Sequence, residues 1–394
     1  HRHTGLLTSI VEKLVGERKK VRARIRAEED RGADANTSLV LALDQRQLAL
    51  KYAANSIYGA CGAQNGKLPS ATFVADTVTN EGRAMIDTIK YVAENKFRCN
   101  GQRICRLEQV PENEPGWFKM QVVYGDTDSI FILQKGVSRI EAKRGTEDVG
   151  EVCTALFPHP VKLEFEKLST RSIFKDTKKR YALNMYEKDF DKDNAGTIKV
   201  KGMSLVRRDN FRFKQNLEKR LIDTILDTTI SLQESRSRAE AFAHAELARL
   251  AAGRVDLFDL LINVSLTKPL EHYGDACTIP KVVAAKKLLS KFPNDRLDAG
   301  DRFFMAMTLP NGVRPGGAKS QYARDVKSVL VDDIPLYLDF YLEACKQEVC
   351  SLFGLFYKDQ QESIVGKQRT LFGTALTKDG IEKLPGRSAK LLGF

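Results

Sequence analysis

The sequence has no cysteine pattern of the kind that organises a zinc ribbon or a disulfide scaffold. Its seven cysteines, Cys61, Cys99, Cys105, Cys153, Cys277, Cys345 and Cys350, include no C-x-x-C pair, and their number is odd. A reducing compartment is therefore the expectation. No apolar run approaches the ~18 residues that a membrane span needs, so no membrane partner is expected. The first residues, His1 to Gly5, lack the apolar core of a signal peptide. They also lack a starting Met, from which we expect the chain to begin inside a longer protein. Internal repeats and long low-complexity segments are absent as well.

A chain of 394 residues is too long for one compact domain and reads as two or three. An apolar content of 42% is enough for real cores. Lys and Arg number 63 against 51 Asp and Glu, a formal net charge of +12. Such an excess suits a nucleic acid before an anionic membrane, although charge alone fits a basic protein with no such partner equally well. Its placement is more informative. Arg18-Lys19-Lys20-Val21-Arg22-Ala23-Arg24-Ile25-Arg26 carries six basic residues in nine and no acid.

Apolar spacing predicts a helix from Gly5 to about Asp30 through Leu6, Leu7, Ile10, Val11, Leu14 and Val15. A second covers Leu39–Tyr58, with Leu41, Leu48 and Ala49 as buried candidates, so the two form a helical hairpin. A third runs from Ala71 to Asn95. Strands are predicted at Ile104–Val110, Lys119–Tyr124 and Ser129–Leu133, a helix at Ser138–Phe157, and further strands at Val161–Lys167, Tyr181–Glu187 and Thr197–Gly202. From Phe211 the pattern turns helical (211–233, 237–252, 281–292, 334–353), interrupted by one strand near Arg302–Thr308.

The string Val122-Val123-Tyr124-Gly125-Asp126-Thr127-Asp128-Ser129-Ile130-Phe131 puts two carboxylates on a turn between apolar strands. Carboxylates two residues apart and held beside a sheet are what a hard divalent cation such as Mg²⁺ needs, its other ligands being water and substrate phosphates. A bare Asp-x-Asp would more often be an ordinary hairpin turn; the full string between apolar strands reverses that preference. Lys51, Asn55 and Tyr58 fall at i, i+4 and i+7, presenting an ammonium, an amide and a phenol on one helix face. Arg18 and Arg22 are also four apart.

The Tyr124–Ser129 string is similar to motif C of the family B DNA polymerases. Lys51-Tyr52-Ala53-Ala54-Asn55-Ser56-Ile57-Tyr58-Gly59 resembles their motif B, and Lys178-Lys179-Arg180-Tyr181 resembles their primer-binding KKRY element. Leu163-Glu164-Phe165-Glu166-Lys167, Lys201-Gly202 and Val206-Arg207-Arg208-Asp209-Asn210 match too. Order and spacing agree most closely with the delta branch. The resemblance is strong from about Gly5 to Asn210 and weaker beyond, where Gly300-Asp301-Arg302 and 334–343 still fit.

The resemblance implies an α+β fold: a right-hand polymerase with a helical fingers hairpin (1–60), a mixed palm with an antiparallel sheet (61–209) and a mainly helical thumb and tail (210–394). It implies template-directed addition of deoxynucleotides to a primer 3′-hydroxyl with two Mg²⁺ ions, in DNA replication. Asp128 is the first choice as metal ligand and catalytic carboxylate, with Asp126 second. Arg18, Arg22, Lys51 and Asn55 would hold the deoxynucleoside triphosphate, and Tyr58 would lie beside the nascent base pair. Lys179, Arg180, Tyr181, Lys201 and Arg207 would contact the primer or DNA, by contacts that fix register and read no sequence. Glu164 and Glu166 stand open between an auxiliary, third metal ion and a surface ion pair with Lys162 or Lys167. Lys19, Arg24 and Arg26 read as a solvated face.

The chain also departs from the family. Lys201-Gly202-Met203-Ser204 has serine where the family has glutamate, and the loop between the first two helices is longer than usual. Nothing resembles motif A, the exonuclease motifs or the cysteine-rich modules that follow the cellular delta thumb. The chain by itself is therefore expected to be inactive and to need the upstream part of the same polymerase. A processivity factor and a nuclear or viral replication site fit the resemblance. The rival readings are a non-catalytic DNA-binding remnant and a translesion, zeta-like polymerase.

Overall fold

The computed structural model describes residues 5–63, 71–110, 115–175, 177–187, 190, 196–274, 276–309 and 318–353, and the backbone of 374–377 and 380–383. It divides into two units, His1–Phe165 and Glu166–Phe394. This boundary coincides with neither of the boundaries expected from the three-part polymerase division, which is a division by function.

Unit 1 opens with the hairpin of α1 (Leu6–Glu29) and α2 (Thr37–Gly62). The turn is closed by Asn36, whose side chain accepts from Leu39 N–H at 3.0 Å as the N-cap of α2. Two helices alone shield only the stripe where they face each other, so Val21 and Leu43 are buried. Leu41, a buried candidate by spacing, is 63% exposed, and Ala49 is exposed as well. The long helix α3 (Thr72–Lys96) leads into β1 (Phe97–Cys99), β2 (Ile104–Arg106) and β3 (Phe118–Lys119), an antiparallel sheet in the order β2-β1-β3. The strand expected at 104–110 stops early, because Leu107–Gln109 turns into a 3-10 helix. The hairpin β4 (Gln121–Asp126) and β5 (Ser129–Leu133) and helix α4 (Arg139–Leu156) complete the unit. Ile89, Val92 and Ala93 of α3, Phe97, Cys99, Ile104 and Met120 around the small sheet, and Val149 and Cys153 of α4 form one core. Val122, Ile130 and Ile132 of the β4–β5 hairpin pack on it.

The strand expected at 161–167 does not form. Leu163 and Phe165 are half-buried as their alternation suggests, but the segment belongs to no sheet among the described residues. Instead Leu163 N–H donates to Thr154 Oγ1 at 3.0 Å, tying the extended segment to α4. Gly150 permits that approach, since a Cβ there would stand 2.9 Å from the Leu163 carbonyl oxygen.

Unit 2 begins with the antiparallel sheet of β6 (Leu168–Phe174), β7 (Tyr181–Tyr186) and β8 (Thr197–Lys201), with β7 in the middle and buried throughout. Helix α5 (Arg212–Ile225) follows. The helix expected to 233 ends at Ile225 because Arg171 of β6 reaches its carboxyl end. That guanidinium donates to the carbonyls of Ile225 (3.3 Å), Asp227 (2.5 Å) and Ile230 (2.6 Å) and to Ser235 Oγ (2.8 Å). One carbonyl at the helix end and two in the connection to α6 are thereby satisfied. The rest is α6 (Leu232–Ala251), α7 (Leu257–Leu260), β9 (Ile262–Ser265), α8 (Pro280–Lys291), β10 (Arg302–Met307), β11 (Ala323–Asp325), α9 (Val326–Asp332) and α10 (Leu338–Phe353). A backbone hairpin, β12 (Thr374–Thr377) with β13 (Gly380–Lys383), lies in the tail. β9, β10 and β11 form a second antiparallel sheet with β10 central. One core runs from Ile173 and Ala182 of the first sheet through Leu217, Leu221 and Leu247 to Tyr341 and Phe353, so sheet and helices in this unit share an interior.

Candidate active site

In the hairpin β4–β5, pairing runs Gln121 with Leu133, Val122 with Ile132, then Tyr124 with Phe131, Gly125 with Ile130 and Asp126 with Ser129. The register shifts at Val123, a β-bulge. Strict alternation would put Val122, Tyr124 and Asp126 on one face. Because Ile130 and Ile132 share the face that meets the core, Val122 and Gly125 share it as well. Tyr124 and Asp126 are turned to the opposite face with Phe131 and Ser129. A bulge re-aims side chains in this way. Here it lets one strand feed the core and still present a carboxylate away from it. Tyr124 and Phe131 pack edge to face on that side, their ring centroids 5.7 Å apart.

The turn itself is strained. Thr127 has φ 61°, and Asp128 N–H donates to the Asp126 carbonyl at 2.7 Å across it, a γ-turn of the rare positive-φ kind. Thr127 Oγ1 donates to Asp126 Oδ1 at 3.1 Å and Ser129 Oγ to the Asp126 carbonyl at 3.2 Å. A non-glycine residue held in this region is sustained by its surroundings and is characteristic of functional turns. The result is two carboxylates either side of Thr127 on one hydrogen-bonded turn, Asp126 half-buried and Asp128 exposed.

These oxygens fit a hard divalent cation, which takes one or two carboxylates from protein. No set of three His, Cys, Asp or Glu side chains gathers among the described residues, so the pair is a partial ligand set. Glu164 is exposed and lies in the extended segment 161–167. Glu166 bonds Lys167 at 2.8 Å, the ion-pair reading left open for it. The Lys167 hydrogen bond, aided by the charges of Lys199 and Lys201, holds the Glu166 carboxyl below its ordinary range.

On the helical hairpin, Lys51, Asn55 and Tyr58 are exposed along α2, as their spacing requires. Arg18 is half-buried against α2, its Nε donating to Gln47 Oε1 at 3.1 Å, one turn before Lys51. The structure thus brings Arg18 to the Lys51 stretch of the partner helix, while Arg22 is exposed one turn further on.

In unit 2 the Lys178–Tyr181 element closes the β6–β7 turn. Lys179 is exposed at φ 64°, Arg180 is half-buried, and Tyr181 is only 4% exposed beneath Lys201, whose Nζ lies 5.7 Å from the ring centroid. Tyr181 and Lys201 are directly paired across β7 and β8. Gly202, at φ 64°, makes this junction possible: a Cβ there would sit 2.1 Å from the Lys179 carbonyl oxygen. Two motifs more than twenty residues apart in sequence are therefore one structural feature, a hairpin end carrying Lys179 and Lys201. Arg207 chelates Asp209 at 3.0 and 2.6 Å, which holds that carboxyl below its ordinary range.

Motif reading missed a buried ionic cluster behind this surface. Lys175 Nζ bonds both Glu218 (3.2 Å) and Glu348. Leu205 N–H donates to Glu218 at 2.6 Å, and Ser204 Oγ to Glu348 at 2.7 Å. Burial first, and then Glu348, push the Glu218 carboxyl up to about 7. Glu348, against the same burial, is held low by hydrogen bonds from Glu218, Lys175 and Ser204. Ser204 is the residue that departs from the family's glutamate. Its hydroxyl leads to a carboxylate supplied from α10, 144 positions away in sequence, and only that departure hinted at it.

The sequence profile described as DNA polymerase family B matches residues 1–355. The chain is 32% identical over 401 residues to the DNA polymerase delta catalytic subunit of Schizosaccharomyces pombe, covering 100% of this chain and 33% of that protein. It is 29% identical over 392 residues to that of Plasmodium falciparum, covering 99% of this chain and 32% of the relative. It is 31% identical over 347 residues to that of Bos taurus, covering 86% and 28% respectively. The chain thus spans about a third of the length of the relatives it matches. Among solved structures, the family B DNA polymerase from the hyperthermophilic archaeon Pyrobaculum calidifontis aligns with TM-score 0.54 and 23% identity over 89% of this chain and 38% of that one, a likeness of fold.

Proposed function

The chain belongs to DNA polymerase family B, and from that premise we propose that it carries the fingers, part of the palm and the thumb of a template-directed DNA polymerase acting in replication. The observation that carries the proposal is the bulged hairpin that turns Asp126, with Asp128 beside it, away from the core on a strained, over-determined turn. Tight hairpins commonly carry a positive φ; what sets this one apart is that a β-branched threonine takes that position and its hydroxyl bonds Asp126. The relatives named delta catalytic subunit support a replicative role, with primer–template DNA and deoxynucleoside triphosphates as substrates.

Asp128 and Asp126 would hold Mg²⁺, completed by donors beyond the described residues. The ions supply neutralisation of phosphate charge during nucleotidyl transfer. Lys51, with Arg18 and Arg22, would hold the triphosphate by charge-assisted hydrogen bonds, Asn55 would add an amide contact, and Tyr58 would bound the base-pair pocket. Lys179 and Lys201, exposed at the Gly202 junction, would contact primer phosphates, joined by Arg180 and Arg207. Tyr181, buried beneath Lys201, would act by positioning that lysine.

Asp128→Asn in the polymerase tests this reading. Loss of one charged ligand where cations must be neutralised should cost several kcal/mol of transition-state stabilisation, about 10²–10⁴-fold in turnover, with primer–template affinity retained. Near-normal nucleotide addition would show the hairpin to be an ordinary turn and favour a non-catalytic DNA-binding role.

A further inference from the structure

The sheet end that carries Lys179 and Lys201 has two flanks, and both are tied down from the inside. On one flank Lys175 follows β6 directly, and its N–H donates to the Arg180 carbonyl at 3.0 Å, closing the turn that holds Lys179. On the other, the chain leaves β8 through Lys201 and Gly202 and enters the short 3-10 helix Ser204–Val206. Two carboxylates each span these flanks. Glu218 of α5 accepts from Lys175 Nζ on Oε1 at 3.2 Å and from Leu205 N–H on Oε2 at 2.6 Å. Glu348 of α10 accepts from Lys175 Nζ on Oε1, and from Ser204 Oγ on Oε2 at 2.7 Å. Lys214 of α5 brings a second cation to Glu348, 3.4 Å away. Each carboxylate is thus a staple with one oxygen for each flank, and Lys175, Glu218 and Glu348 are all buried.

Stability alone does not call for this arrangement. A buried ion cluster carries a desolvation penalty, and apolar side chains of similar volume often hold a core as well or better. Directional bonds to a carboxylate give what apolar packing does not, a fixed distance and orientation between the groups they join. The groups joined here are the supports of Lys179 and Lys201, both exposed on a junction where Gly202 already lies against the Lys179 carbonyl. Helix α10 gives the Glu348 staple a firm base, since Tyr341, Cys345, Val349, Leu352 and Phe353 belong to the core of unit 2.

We propose that Glu348 and Glu218 are positioning residues for nucleotide addition: acting through Lys175, Ser204 and Leu205, they set the separation of Lys179 and Lys201 and with it where the primer strand rests. Neither carboxylate touches substrate. The inference rests on the polymerase reading and on the primer contacts proposed for the two lysines.

Glu348→Met in the full-length polymerase removes one staple with little loss of bulk, and Glu218 remains to balance Lys175. Ser204→Ala removes only the hydroxyl end of the same staple, at a half-buried position, and carries the test should Glu348→Met not fold. Rapid-quench extension of a saturating primer–template separates two effects. Burst amplitude reports the fraction of active enzyme, and burst rate reports addition by each active complex. A misplacement of about 1 Å can cost about 100-fold in rate. A loosened but retained junction should therefore lose about 10-fold in burst rate in Glu348→Met and about 3-fold in Ser204→Ala. The Kd for primer–template should change less than about 2-fold, because the lysine charges remain. Ser204→Thr, which keeps the hydroxyl, should extend at the wild-type rate. A lower amplitude with an unchanged burst rate in both variants would reduce the cluster to a support of the fold and overturn the proposal. Weaker DNA binding at an unchanged burst rate would assign the cluster to affinity and overturn it as well. Wild-type extension that survives Asp128→Asn would instead overturn the polymerase reading of the site, a failure distinct from either of these.

Discussion

Replacing Lys175 by methionine should be among the most damaging single changes in unit 2, and its damage should depend on pH. The ammonium sits between two carboxylates that are almost fully buried, 3.2 Å from Glu218. Methionine keeps the bulk of the stem and removes only the charge. Breaking a buried ion pair by deleting one partner typically costs about 3–5 kcal/mol. For a unit of this size each kcal/mol shifts Tm by about 2–4 °C, so a fall of about 6–20 °C is expected near pH 8. The sign with pH follows from the raised pKa of Glu218. Its folded value, about 7, lies above the ordinary 4.5, so protonation favours the folded state. That contribution is complete below about 4.5 and is lost as pH rises through about 7. Without Lys175 the cation left beside Glu348 among the described residues is Lys214, 3.4 Å away. Both carboxyls then shift upward and the slope steepens. Thermal unfolding of Lys175→Met at pH 5 and pH 8 should therefore show partial recovery at the lower pH. Glu218→Gln, which imitates the protonated form, should be nearly neutral in stability and flatten the wild-type pH dependence near 7. A pH-independent loss of less than about 1 kcal/mol in Lys175→Met would refute the cluster as an electrostatic unit.

Two further substitutions probe the other site elements. Lys51→Ala should lower kcat/KM for deoxynucleotides by about 10–100-fold, through removal of a charge-assisted hydrogen bond. DNA affinity should change little, and an equal fall in DNA binding would place Lys51 on the template instead. Gly202→Ala should destabilise unit 2 by at least about 2 kcal/mol, because a left-handed backbone and a collision with the Lys179 carbonyl oxygen act together. Denaturant unfolding and primer–template binding should both register it, and a fully stable variant with normal DNA affinity would separate the glycine from the Lys179–Lys201 junction.

Much of the site was legible in the amino-acid order because its chemistry is local. The Tyr124–Ser129 string specifies a turn with two carboxylates, β5 lies where the apolar run after that turn puts it, and Lys51, Asn55 and Tyr58 share a helix face by period alone. Other features were out of reach for identifiable reasons. The bulge at Val123 answers to which residues of β5 meet the core, so alternation by itself predicts the wrong face for Asp126. The segment 161–167 alternates like a strand but is part of no sheet among the described residues, and sheet formation is a property of the neighbours. Leu41 reads as core, yet a two-helix hairpin shields only the stripe that Leu43 occupies.

Sequence by itself determined the family and most of the long helices, and it named the charged groups proposed to meet a metal, a triphosphate and a DNA backbone. These depend on residues within a turn or two of one another. Tertiary structure alone decided that Gly202 and Lys179 form one junction, and that Lys175, Glu218 and Glu348 share a buried charge cluster across 173 positions. Burial and electrostatic coupling are set by distance through space, and no local pattern in the chain encodes which remote residues the packed core will bring together.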